Sequence, residues 1–147
     1  MKVVGIVGLP GSGKSSLMRE YLRDGYAGFD DFGEQWDAHT ALARESLAKG
    51  TPVVVSEINL CRLDWRERME AALEQPIEWI YFANDPWQCA VNCLYRLMVQ
   101  LDERPLMSML QEIATLSPLY QPPGETRPIA IADASIRRSA PPPTPAR

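Results

Sequence analysis

Eight consecutive residues, Gly8-Leu9-Pro10-Gly11-Ser12-Gly13-Lys14-Ser15, combine glycines, a lysine and hydroxyls at the spacing of a phosphate-binding loop. Glycines let successive backbone N–H groups turn inward around a polyphosphate, and the N-terminus of a following helix adds a favourable dipole. The flanking chain fits both requirements. Val3-Val4-Gly5-Ile6-Val7 is an apolar run suited to a buried strand, and Ser15 to Leu22 has the spacing of an amphipathic helix. The pattern predicts a nucleoside triphosphate site built from Gly8, Pro10, Gly11, Ser12, Gly13, Lys14, Ser15 and Ser16. Lys14 is expected on the β- and γ-phosphates and the Ser15 hydroxyl on Mg²⁺.

A phosphate loop serves kinases, GTPases and ATPases alike, so other positions have to separate them. A guanine-reading Asn-Lys-x-Asp is missing from Phe82-Ala83-Asn84-Asp85-Pro86. Asp30-Asp31 follow the second apolar segment, at the edge of a parallel sheet where ligands bind. Asp30 is the better candidate to accept the proton of an attacking hydroxyl, and Asp31 the better cap for the next helix. Glu57 ends the run Val53-Val54-Val55-Ser56, where a carboxylate orients Mg²⁺ through water, and Asn59 lies close enough to touch substrate. Arg96 and Arg104 are both candidates for the cation that meets transition-state charge. Arg104 sits in Asp102-Glu103-Arg104-Pro105, a break between helices where a lid would close. Arg62, Arg66 and Arg68 follow the third strand; Arg62 is the first candidate to hold a substrate phosphate.

These residues need a scaffold that brings them to one edge. Predicted strands lie at 3–7, 25–29, 51–56, 77–82 and 127–132, and helices at about 15–22, 34–48, 63–73, 84–101 and 106–116. Trp36, Leu42 and Leu47 are expected on the apolar side of the second helix, with Gly50 as its stop. Alternation of strand and helix implies βαβ units and a parallel sheet covered on both faces. The expected fold is therefore α/β, a three-layer α/β/α domain with a five-stranded parallel sheet and a helical lid, over residues 1–136. Residues 137–147 (RRSAPPPTPAR) are Pro-rich without an apolar face and are expected to be disordered.

Composition narrows the partners. The net charge of −4 argues against a broad grip on a nucleic-acid backbone, which needs clustered Lys and Arg. No apolar run reaches the roughly 18 residues of a membrane span, and the N-terminus lacks secretory-signal features, so a cytoplasmic protein is expected. Cys61, Cys89 and Cys93 are odd in number; Cys89 and Cys93, four apart on one helix, read as reduced thiols on a buried face. Phe32, Trp36, Trp65 and Trp87 are expected in the core rather than stacked on a base.

With these residues placed, the chain resembles the small P-loop kinases, and among them the kinase domain of polynucleotide kinase. The loop Gly8–Ser15 carries the specific part of that resemblance. Phe29-Asp30-Asp31-Phe32 looks like the aromatic-flanked Asp pair whose first member is the general base. Val53-Val54-Val55-Ser56-Glu57-Ile58-Asn59-Leu60 is similar to that domain's third strand, with Glu57 in place of its Asp. Gly33-Glu34-Gln35 stands where that domain has an arginine for the substrate phosphate. The viral kinases of hydroxymethyl groups on DNA pyrimidines are similar in size and layout. The resemblance implies an ATP- and Mg²⁺-dependent kinase acting on a hydroxyl of a nucleic acid or nucleotide. The acidic composition favours a small polar metabolite instead, and a nucleotide-binding regulatory NTPase is the remaining alternative.

Overall fold

The computed structural model describes residues 2–100 and 105–132. The expectations placed on Asp102, Glu103, Arg104 and the Pro-rich tail lie outside the described residues. Four strands, β1 (Val3–Val7), β2 (Ala27–Phe29), β3 (Val53–Ser56) and β4 (Ile77–Tyr81), alternate with helices α1 (Lys14–Arg23), α2 (Trp36–Ala48) and α3 (Leu63–Leu73). Helices α4 (Pro86–Gln100) and α5 (Leu106–Leu116) follow β4. The sheet is parallel throughout, in the order β2-β3-β1-β4, with Val3 paired to Val53 on one side and Ile77 on the other.

Strand periodicity divides the core into two layers. Val3, Val7, Val53 and Val55 face α2, α3, α4 and α5, while Val4, Ile6 and Val54 face Leu17 and Met18 of α1. Full burial of each of these valines contributes about 1.5–3 kcal/mol. The helices that leave β1 and β3 therefore run to opposite faces of the sheet. At the carboxyl ends of these neighbouring strands the chain opens a crevice, the place where ligands bind in open α/β sheets. The loop 8–13 and Glu57 both stand there.

The fifth strand does not form. Arg127 makes one parallel bridge to Phe82, its N–H donating to the Tyr81 carbonyl and its carbonyl accepting from Ala83, both at 2.8 Å. Beyond it the Ala130 carbonyl and the Ala132 N–H are bonded by the Asn92 side chain of α4 instead of by β4. Helix α2 begins at Trp36 rather than Glu34. Its buried side is Ala43 and Leu47, and Leu42, 100° away from Ala43 around the helix, is 51% exposed instead of packed. Gly50, at φ 85°, does stop the helix. Of the four aromatics expected in the core, Phe32 is fully buried, Trp36 and Trp65 pack against it in part, and Trp87 is 79% exposed on α4.

Candidate active site

The loop after β1 folds into a tight cradle. Gly11 and Gly13 adopt φ 83° and 105°, a region that costs a side chain energy, and Gly13 is the residue on which α1 starts. A Cβ on Gly11 would also lie 2.3 Å from the Cys89 carbonyl oxygen, so α4 presses directly on the loop. The Lys14 ammonium folds back across the mouth, donating to the carbonyls of Gly8 at 2.8 Å and Leu9 at 3.0 Å. The Ser12 hydroxyl is buried inside the loop and has no hydrogen-bond partner among the described residues. A buried, unsatisfied hydroxyl costs about 1–3 kcal/mol, a debt that an anion seated in the loop would remove.

The loop opens on a cavity of about 260 Å³. Its walls carry Lys14, Ser15, Asp30, Asp31, Glu57 and Arg96, so residues from the ends of β1, β2 and β3 meet with one from α4. Pro105, Ser108, Met109 and Glu112 at and after the start of α5 close the far side. Glu57, 5% exposed, is fixed by its neighbour: Asn59 donates to its Oε1 from the backbone N–H at 3.2 Å and from Nδ2 at 2.9 Å. Asn59 itself lies in an adjoining depression beside Ser108 and Glu112. Asp30 and Asp31 are exposed at the cavity, and Asp31 has φ 49°, a left-handed backbone that Asp tolerates better than most residues. The cap expected of Asp31 is not made, because α2 starts five residues later with Gln35 before it and no side-chain cap.

The three arginines after β3 are engaged elsewhere. Arg62 pairs with Asp64 at 2.9 Å on the surface and does not line the cavity, against its expected role as a phosphate holder. Arg66, 6% exposed, donates to the carbonyls of Leu60 at 2.7 Å and Cys61 at 3.2 Å, capping the turn that follows Glu57. The Arg68 guanidinium stacks 3.9 Å from the centroid of Trp36. Each has a partner within the protein.

The three cysteines are buried and reduced behind the loop. Burial pushes the Cys61 thiol up to about 11 and the Cys89 thiol up to about 12, with the Lys14 charge opposing both. They are neutral packing, as the helical spacing of Cys89 and Cys93 predicts.

Sequence reasoning missed a second crevice of about 380 Å³ on the other side of the loop. It shares Gly11, Ser12, Gly13 and Arg96 with the first and is walled by Ser16, Glu20, Phe82, Asn92, Arg127, Pro128 and Ala130. The signal available was Asn92, a polar residue on the α4 face that carries Cys89 and Cys93 inward.

No protein-family model and no curated protein sequence matches this chain. Among solved structures, the fold is similar to that of a gluconokinase from Sinorhizobium meliloti 1021, with a TM-score of 0.55 and 18% identity over 92% of this chain and 86% of that one. The chain therefore shares with that structure an α/β fold, here built on a parallel sheet of four strands among the described residues. No helix among the described residues is long and apolar enough to cross a membrane.

Proposed function

We propose that the cavity is the active site of an ATP-dependent phosphotransferase that moves the γ-phosphoryl group to a hydroxyl of a small polar metabolite. The observation that carries this reading is the convergence of a complete phosphate loop with Asp30, Glu57 and Arg96 on one cavity at the sheet's switch point. The gluconokinase likeness in fold supports a small hydroxyl acceptor over a nucleic acid. So do the cavity's modest size and its closure by α5. The diversion of Arg62, Arg66 and Arg68 away from the cavity further weakens the polynucleotide reading.

In this reading the polyphosphate lies along the loop, with backbone N–H groups and the Ser12 hydroxyl donating to it. Lys14 exchanges its two carbonyl contacts for the β- and γ-phosphates, and the nucleoside occupies the second crevice between Glu20 and Arg127. Mg²⁺, held by the Ser15 hydroxyl and Glu57, would neutralise phosphate charge. Two protein groups suffice because Mg²⁺ keeps several waters and takes substrate oxygens. Asp30 removes the acceptor proton as its oxygen attacks. Arg96, or Arg104 beyond the described residues, meets the charge that develops on the transferred group. Asp31 and Asn59 face the acceptor side.

The test is transfer of label from γ-labelled ATP across acceptor classes: sugars and sugar acids, amino alcohols, nucleosides, hydroxymethyl-pyrimidine DNA and oligonucleotides with a free 5′-hydroxyl. Labelled small metabolites support the proposal. Labelled oligonucleotide replaces it with the nucleic-acid reading, and ATP turnover indifferent to every acceptor replaces it with a regulatory NTPase.

A further inference from the structure

Asn92 sits at the middle of α4, 4% exposed, and uses every hydrogen-bonding position of its amide. Nδ2 donates to the Gly11 carbonyl at 3.0 Å and to the Ala130 carbonyl at 2.8 Å. Oδ1 accepts from the Ala132 N–H at 3.0 Å and from Gln88 Nε2 at 2.9 Å. The two carbonyls and the one backbone N–H also fix the orientation of the amide, since a flipped amide would oppose donor to donor and acceptor to acceptor.

These partners belong to different parts of the site. Gly11 lies at the bend of the phosphate loop, whereas Ala130 and Ala132 lie in the segment after Pro128, one wall of the second crevice. That segment has a single sheet bridge, at Arg127, and beyond it the Asn92 amide supplies the hydrogen bonds that a fifth strand would have made. The loop has other support. Ser12 N–H donates to the Leu9 carbonyl at 3.1 Å, and Gly11 rests on the α4 backbone.

We infer that Asn92 is a positioning residue that pins the segment 128–132 to the phosphate loop, so that the wall receiving the nucleoside is held in register with the cradle receiving the phosphates. The inference rests on the nucleotide reading of the site. It assigns the discrimination between a nucleoside triphosphate and bare polyphosphate to a side chain whose amide is wholly engaged by the protein.

The experiment compares binding of ATP and inorganic tripolyphosphate, each with Mg²⁺, by equilibrium titration of the full chain. Asn92→Ala is expected to weaken ATP about tenfold or more while tripolyphosphate changes by about twofold or less, because the loop loses one bond but keeps its other supports while the wall loses its anchor. Ala132→Pro provides a second route that leaves the core intact. It deletes the N–H received by Oδ1 and is expected to lower the ATP-to-tripolyphosphate affinity ratio in the same direction, so the claim stays open to refutation if Asn92→Ala does not fold. Equal weakening of both ligands, or an unchanged ratio in folded variants, overturns the inference by making Asn92 a purely structural contact. Failure of the wild-type chain to bind either ligand overturns the nucleotide reading itself, a result distinct from wild-type and variants that bind both alike.

Discussion

Asn59 holds Glu57 in place: one carboxylate oxygen of Glu57 takes both the backbone and side-chain N–H of Asn59, at 3.2 and 2.9 Å, at the carboxyl end of β3. This relationship gives Asn59 a role other than the substrate contact its position in the sequence predicts. Asn59→Ala removes the shorter bond and leaves Glu57 held by the backbone N–H alone. We expect half-maximal activity to need about three- to tenfold more Mg²⁺, with a larger rise for Glu57→Gln, as for loss of a group that orients a metal ligand. An Mg²⁺ activation curve for each variant checks this.

Asp30→Asn is expected to lower transfer by about 10²–10⁴ while ATP affinity holds, the range for loss of a general base. Asp31→Asn should have the smaller effect on turnover. Its left-handed backbone is as acceptable to Asn as to Asp, so stability should be unchanged. Steady-state kinetics with a separate ATP titration measures both.

Arg66 and Arg62, four residues apart, should behave oppositely. Arg66→Ala strips two buried carbonyls of their donor and should cost about 2–4 kcal/mol of stability in urea unfolding. Arg62→Ala breaks an exposed pair and should leave both stability and acceptor KM within error.

The thiols report on the same packing. Folding raises the Cys61 and Cys89 pKa to about 11 and about 12, which lowers the reactive thiolate fraction at every pH below those values. A disulfide reagent at pH 8 should therefore modify these two only slowly in the native protein and rapidly in denaturant. Fast native reaction would mean that α4 lifts from the loop.

What could be read from the sequence was local. Gly8 to Ser15 spell in their own order the loop that the structure folds into a cradle, and the β-branched run Val53–Val55 fixes its strand and so the place of Glu57. Asp30 followed from topology, because the end of β2 must lie at the same edge as the loop. Other features depended on residues far apart. Arg68 stacks on Trp36 of α2, and the Ala130 carbonyl and Ala132 N–H that a fifth strand would have paired are taken by an amide on α4. Among the described residues the sheet thus has four strands where periodicity suggested five. Asn92 was visible as a polar residue on an apolar face, but its backbone partners lie 81, 38 and 40 residues away.

The central claim is that the loop binds the phosphates of ATP and that Lys14 serves them. Equilibrium titration of ATP–Mg²⁺ into the wild-type chain and Lys14→Ala, with circular dichroism to establish that both are folded, tests it most directly. The Lys14 ammonium donates to the Gly8 and Leu9 carbonyls of its own loop and lines the cavity, so its loss should leave the fold intact. We predict saturable 1:1 binding by the wild type and a loss of about 100-fold or more in Lys14→Ala, in keeping with a partly buried charge-assisted contact to phosphate. Equal ATP affinity in the two folded proteins would contradict the account.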